Sequence, residues 1–122
     1  MKKILVVDDS KEIRELVRTT LDPDFYKLYE APNGTKAIEY SRKYNPDLII
    51  MDINMPGAID GIEATKQIKG YPGTSFCQIL ILTGSNDHLF EEGKKAGACE
   101  YICKPFSPLD LIEKIDQLLS VS

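Results

Sequence analysis

The sequence predicts an α/β fold in which helices cover both faces of a doubly wound, five-stranded parallel sheet. Three short apolar runs, bounded by polar residues, are typical of strands buried on both sides: Ile4 to Val7, Leu48 to Met51 and Ile79 to Leu82. Helical periods separate these runs, and such alternation is typical of parallel sheets with right-handed crossovers. The 122 residues leave room for one domain, which we expect to span residues 1–122.

The remaining elements follow from weaker patterns. Leu28 to Ala31 and Glu100 to Cys103 alternate polar and apolar residues, as edge strands do. Gly70 to Ser75 is rich in turn-forming residues and predicts a loop before the fourth strand. Five helical segments each show one apolar face, at Ile13, Leu16, Val17 and Leu21; Ala37, Ile38 and Ser41; Ile62, Thr65 and Ile68; Leu89, Phe90 and Ala96; and Leu111, Ile112, Ile115, Leu118 and Leu119.

Composition excludes several classes of protein. A hydrophobic fraction of 43% and a charged fraction of 28% are those of an ordinary globular domain, and a net charge of −4 argues against direct binding to nucleic acid. The first apolar run is too short for a secretory signal, so we expect a cytoplasmic location and no membrane partner. The cysteines, Cys77, Cys99 and Cys103, show no metal-binding spacing, and we expect reduced thiols that lie mostly in the core.

Polar residues follow the predicted strands at the point where each strand ends. The first strand ends in Asp8 and Asp9, the third in Asp52, the fourth in Thr83 and the fifth in Lys104. The carboxyl ends of parallel strands lie at one edge of a sheet, where ligands bind in open α/β folds. We therefore expect these side chains to converge.

Some of these residues also have purely structural explanations. One alternative is that Asp9 caps the first helix in a capping box with Glu12, and that either Thr83 or Ser85 caps the fourth. An Asx-turn would explain Asp52. Each explanation is credible alone, but three carboxylates converging on one edge would be a strongly repulsive way to make caps.

Carboxylates in such a cluster need a cation. Two of them about 4 Å apart repel by about 4 kcal/mol at an effective dielectric near 20. An all-oxygen site with few protein ligands favours Mg²⁺ over Ca²⁺. With a metal neutralising Asp8 and Asp9, Asp52 is free to attack phosphorus and form an aspartyl phosphate. Lys104 and Thr83 would then stabilise charge on the transferred group.

The motifs "ILVVDDS", "LIIMDINMPG", "ILILTG" and "YICKPF" occur in this order along the chain. Together they resemble the receiver domain of bacterial response regulators, in its stand-alone, chemotaxis-type form. The resemblance implies a flavodoxin-like fold with strand order 2-1-3-4-5. It also implies a signalling role rather than an enzyme: Mg²⁺-dependent transfer of a phosphoryl group from a sensor histidine kinase or phosphotransfer protein, which switches a face that binds a downstream protein.

The same resemblance implies a role for individual residues. Asp52 would be the phosphoacceptor, Thr83 and Lys104 would contact the phosphoryl group, and Thr83 and Tyr101 would form the switch. The peptide bond between Lys104 and Pro105 is expected to be cis. The implied ligands of Mg²⁺ are Asp8, Asp9, Asp52 and the backbone carbonyl of Asn54.

The sequence departs from the common family pattern in two places. Residues 57–59 make the loop before Asp60 one residue longer than usual, and Gly84 stands where Ala or Ser is common. Asn54 and Ser85 resemble the pair that tunes hydrolysis of the aspartyl phosphate. None of these differences removes a residue that the chemistry requires.

Three other functions fit parts of the pattern. "LIIMDINM" also resembles the first motif of haloacid-dehalogenase-type phosphatases, but Asn54 stands where those enzymes need a second acid. A flavin-binding module would need phosphate donors after the first strand, where Asp8 and Asp9 stand. An interaction module without phosphorylation is disfavoured by the complete set of site residues.

Overall fold

The computed structural model describes residues 1–55, 57–84 and 87–119, and within them five strands alternate with five helices. The strands β1 to β5 span Lys2–Val7, Tyr26–Ala31, Leu48–Asp52, Gln78–Thr83 and Glu100–Cys103. The helices α1 to α5 span Lys11–Thr20, Gly34–Tyr44, Gly61–Gly70, Asp87–Ala96 and Pro108–Leu119. All strand pairs are parallel, in the order β2-β1-β3-β4-β5, so the predicted flavodoxin-like fold is confirmed.

The register of the sheet brings the strand ends to one level. Val7 of β1 pairs with Met51 of β3, so the residues that follow them, Asp8 and Asp52, are next to each other on neighbouring strands. On the other side of β3, Asp52 pairs with Leu82 of β4. The carboxyl ends of the central strands therefore form one continuous edge.

Strand residues alternate between two apolar layers. Leu5 and Val7 pack with α2 and α3 on one face, while Ile4 and Val6 pack with α1 and α5 on the other. Both sets are buried, which explains why the central strands are uninterrupted apolar runs. No helix in the described part of the chain has the length and apolar character needed to cross a bilayer.

Two details of the chain differ from what the sequence suggested. Strand β2 begins at Tyr26 rather than Leu28, because β1 continues its pairing down to Lys2. The N-cap of α1 is Ser10, whose Oγ accepts the Ile13 N–H at 3.3 Å, so the alternative of an Asp9–Glu12 capping box is wrong. The chain turns into the helix one residue later than the box would require.

The cysteines are all free, as expected, but they do not lie mostly in the core. Cys77 is buried just before β4. Cys99 and Cys103 are exposed: Cys99 directly precedes the short edge strand β5, and Cys103 is its last residue. Burial raises the pKa of the Cys77 thiol to about 11.

Helix α3 begins in direct contact with the end of β3. The Gly61 N–H donates to the Ile53 carbonyl at 3.2 Å. A Cβ at Gly61 would lie only 2.1 Å from the Asp52 carbonyl oxygen and 2.8 Å from the Ile53 Cα. Only a residue without a side chain fits here, so the position of Asp52 depends on a glycine nine residues further along the chain.

We expect Gly61→Ala to lower the free energy of unfolding by about 1 to 3 kcal/mol, because backbone must move to admit the methyl group. Gly70→Ala is the matched control: it lies at the other end of α3, and a Cβ there meets nothing within 4 Å. The control should change stability by less than about 1 kcal/mol. Urea unfolding measures both, and equal effects would contradict the close approach at Gly61.

Candidate functional site

The carboxyl edge of the sheet collects four polar side chains from four strands. Asp8 follows β1, Asp52 ends β3, Thr83 ends β4 and Lys104 follows β5. Asp8, Asp52 and Thr83 are each exposed by no more than 2%. Buried carboxylates require a compensating charge.

Lys104 supplies that charge to both acids. Its Nζ lies 3.1 Å from Asp8 Oδ2 and 3.3 Å from Asp52 Oδ1. Asp9, which is exposed, completes the cluster: one carboxylate oxygen from each of Asp8, Asp9 and Asp52 lies within 4.8 Å of the others. Three carboxylates and one ammonium give the site a formal charge of −2.

Backbone donors hold one oxygen of each buried carboxylate. The Asn54 N–H donates to Asp52 Oδ1 at 3.1 Å, and the Ser10 N–H donates to Asp8 Oδ1 at 2.9 Å. The Asx-turn considered for Asp52 is therefore present. It accounts for one oxygen only, because neither this bond nor the Lys104 contact involves Asp52 Oδ2.

Two buried polar atoms at this edge lack a hydrogen-bond partner among the described residues. Apart from its ion pair with Lys104, Asp8 Oδ2 has no hydrogen-bond partner among the described residues, and Thr83 Oγ1 has none there either. Buried polar atoms are nearly always paired in folded proteins. The first atom offers an oxygen ligand for a cation, and the second offers a hydroxyl donor for an anion.

The pKa values of Asp52 and Lys104 are both raised, but for different reasons. Burial, with the neighbouring Asp8 carboxylate, raises the pKa of Asp52 from 3.8 to about 6, although Lys104 and the Asn54 N–H act in the opposite direction. Burial lowers the pKa of Lys104, but its contacts with Asp8 and Asp52 outweigh burial, and the net shift is upward. At neutral pH the site therefore holds an ionised Asp52 carboxylate beside the Lys104 ammonium.

The residues expected to form the switch share one face of the sheet. Thr83 and Ile81 of β4 are two residues apart, so their side chains lie on the same face of the sheet. Ile81 belongs to the apolar layer that contains α2 and α3. Tyr101 of β5 pairs in register with Ile81 and packs against the same layer. Its ring packs against Phe90 of α4 at an interplanar angle of 39°, with centroids 4.1 Å apart.

Other sequence expectations have mixed outcomes. The Lys104–Pro105 peptide bond is cis, as the resemblance implied. The longer loop turns at Gly57, whose φ of +114° favours glycine. The side chain of Asn54 is exposed, and its backbone carbonyl remains a predicted ligand. Ser85, predicted as a cap or as a residue that tunes hydrolysis, lies outside the described residues.

Sequence reasoning missed two residues that contact this region. Arg14 of α1 donates from Nη1 to the Asp8 carbonyl at 2.6 Å, and Phe90 covers the Tyr101 ring. Each contact joins residues from different elements or loops. The relevant local signal was the amphipathic period of α1 and α4, which places residues on a face but does not identify their partners.

Comparison with known proteins identifies the family. The model of the response regulator receiver domain matches residues 4–116. The chain is 39% identical over 119 residues to the chemotaxis protein CheY of Halobacterium salinarum, covering 98% of both chains. It is 42% identical over 118 residues to the transcriptional regulatory protein ResD of Bacillus subtilis, covering 96% of this chain and 48% of that protein. The solved structure of the chemotaxis response regulator CheY4 of Vibrio cholerae matches with a TM-score of 0.90 at 35% identity, covering 97% of this chain and 98% of that one.

The chain therefore belongs to the response regulator receiver domain family. It is a phosphoacceptor domain of two-component signalling, a signalling protein rather than an enzyme, and this function implies a histidine kinase as partner. The phosphatase and flavin-binding alternatives are wrong. The chain spans nearly all of CheY but about half the length of ResD.

The raised pKa of Asp52 makes the metal-free protein sensitive to pH. The folded chain binds this proton more tightly than the unfolded chain does, so the stability gained below about pH 4 is lost as the pH rises through about 6. The shift is equivalent to at most about 3 kcal/mol. In chelator, Asp52→Asn should therefore raise the free energy of unfolding by about 1 to 3 kcal/mol at pH 7.5 and change it little near pH 4.

Urea unfolding of both proteins across this pH range measures the effect. The parent should lose stability between about pH 4 and 6, and the variant should lose less there. Parallel pH profiles for the two proteins would show that Asp52 does not carry the raised pKa.

Proposed function

We propose that residues 1–122 act as one receiver domain in which Asp52 accepts a phosphoryl group from a sensor histidine kinase or phosphotransfer protein. The observation that carries this proposal is the pair of buried carboxylates, Asp8 and Asp52, bridged by Lys104 at 3.1 and 3.3 Å. A carboxylate held beside a fixed cation is a nucleophile whose phosphorylated product already has a partner for its added charge. Family membership supports the same chemistry.

We further propose that the acidic cluster holds Mg²⁺. Its ligands would be Asp8, Asp9, Asp52 and the backbone carbonyl of Asn54. Three observations support the fit: a formal charge of −2, carboxylate oxygens within 4.8 Å of one another, and the Oδ2 of Asp8, which has only its ion pair with Lys104 among the described residues. When bound, Mg²⁺ supplies positive charge to the carboxylates and to the oxygens of the transferred group.

The chain's own residues supply the rest of the chemistry. Asp52 is mostly ionised above pH 6 and forms the new O–P bond as the P–N bond of the donor phosphohistidine breaks. Lys104 exchanges part of its contact with the carboxylates for the phosphoryl oxygens. The Thr83 hydroxyl, which has no hydrogen-bond partner in the described part of the chain, donates to the same group.

This new contact of Thr83 would drive the switch. Movement of Thr83 toward the phosphoryl group vacates space on the face shared with Tyr101, and the Tyr101 ring moves inward from its contact with Phe90. Only a contact that differs between the two states can shift their populations. The changed face of α4 and β5 would bind a downstream protein, with no direct role for nucleic acid or membrane.

The phosphoacceptor assignment is tested with acetyl phosphate and intact-mass spectrometry. The parent should gain the mass of one phosphoryl group in Mg²⁺ and not in excess chelator, while Asp52→Asn should gain none because the nucleophilic oxygen is absent. Asp60→Asn is the matched control, since Asp60 caps α3 outside the acidic cluster. It should be labelled like the parent. Labelling of Asp52→Asn would exclude Asp52 as the acceptor.

Coupling to the switch face is tested with Thr83→Ala and beryllofluoride, a phosphoryl analogue. The variant should still bind the analogue through Asp52 and Lys104, but amide NMR shifts over residues 90–103 should be much smaller than in the parent because the Thr83 contact is lost. Thr83→Ser keeps the hydroxyl and should respond like the parent. A full response in Thr83→Ala would contradict the mechanism.

A further inference from the structure

Arg14 contacts the backbone of the acidic cluster from α1. Its Nη1 donates to the Asp8 carbonyl oxygen at 2.6 Å, and its side chain is only 17% exposed. The Asp8 carbonyl and the Asp9 N–H belong to one planar peptide unit. Because the oxygen of that unit is held, Arg14 also fixes the direction in which the chain continues to Asp9.

Glu30 of β2 holds Arg14 in place. Its Oε1 lies 3.2 Å from Arg14 Nε, and its Oε2 pairs with Arg18, one turn further along α1. Glu30 is itself only 21% exposed. An acid shared between two guanidinium groups orients Arg14 and offsets its positive charge, which would otherwise repel a cation at the acidic cluster.

The acidic cluster needs this restraint at one position. Asp8 and Asp52 each accept a backbone N–H and share Lys104. Asp9 is exposed and takes part in none of those contacts. The orientation of the Asp9 carboxylate therefore depends on the peptide unit that precedes it, and this is the unit that Arg14 holds.

We propose that Arg14 is a positioning residue for the cation site. Its hydrogen bond to the Asp8 carbonyl orients Asp9 toward the other two carboxylates, and Glu30 aligns the guanidinium for this bond. The inference rests on the proposed Mg²⁺ site and adds a residue that does not itself coordinate the cation. Residues that orient metal ligands are commonly worth about 10- to 100-fold in metal affinity.

The direction in which Mg²⁺ affinity changes when Arg14 is removed distinguishes a positioning role from a purely electrostatic one. If Arg14 acted only as a nearby positive charge, its removal would leave Mg²⁺ affinity unchanged or strengthen it. If Arg14 positions Asp9, its removal weakens binding despite the loss of a repelling charge. The two roles therefore predict opposite changes for the same variant.

The experiment is a calorimetric Mg²⁺ titration of the parent, Arg14→Met and Arg18→Met at pH 7.5. Arg18→Met is the matched control, because Arg18 shares the Glu30 carboxylate, is 61% exposed and is not the donor to Asp8. Arg14→Met should bind Mg²⁺ about 10-fold or more weakly than the parent. Arg18→Met should stay within about threefold.

One control measurement and one replacement variant keep the result decisive. Urea unfolding in chelator checks that each variant is folded under the titration conditions, since a folded variant that is merely less stable does not change its intrinsic Mg²⁺ affinity. If Arg14→Met does not fold, Arg14→Lys replaces it: a lysine keeps the charge but cannot donate to Asp8 and Glu30 from two nitrogens at once. It should also bind Mg²⁺ more weakly than the parent.

Parent-like or tighter Mg²⁺ binding by the folded Arg14 variant would overturn the positioning role while leaving the metal site intact. Loss of affinity in Arg18→Met equal to that in Arg14→Met would overturn it as well, because the effect would then belong to Glu30 and its charge balance. Absence of Mg²⁺ binding by the parent itself would instead overturn the proposed site. The two failures are therefore distinguishable.

Discussion

The arrangement of the molecule depends on two carboxylates, almost fully withdrawn from water, that share one ammonium. Neither Asp8 nor Asp52 would be tolerated at 1% and 2% exposure without Lys104 between them. The parallel register of β1 and β3 makes the acids neighbours, and the passage of β5 to the same edge delivers the lysine. The absence of a side chain at Gly61 lets α3 begin against the end of β3 without displacing Asp52.

Burial of these carboxylates costs free energy, and packing in the remainder of the fold offsets that cost. The raised pKa of Asp52 is a direct sign that its charged form costs free energy where it stands. Two apolar layers, one on each face of the sheet, contribute the opposing term through buried residues such as Ile49 and Ile50. The site is therefore a locally destabilising element within a well-packed scaffold, as functional sites commonly are.

The sequence supported the prediction of the strands, their order and the converging acids, because each depends on a pattern within one segment or on a family motif. It did not predict that Ser10 rather than Asp9 caps α1, because both residues are favourable caps and the choice depends on where the chain leaves β1. It also did not predict the contacts Arg14–Asp8 and Phe90–Tyr101. Those contacts arise only when separate segments pack, and no periodicity within one helix identifies the partner.

The place of β5 at the edge of the sheet has a mechanical consequence. Among the described residues, β1, β3 and β4 each lie between two neighbours, whereas β2 and β5 are the edge strands and β5 pairs with β4 alone. A small slide or tilt of β5 strains hydrogen bonds along one side only, and its four residues make few of them. The same short strand carries Tyr101 and leads directly into Lys104. The Tyr101 ring lies on β5 and the ammonium of the site directly follows this strand, so a small shift of the short, singly paired β5 would move both.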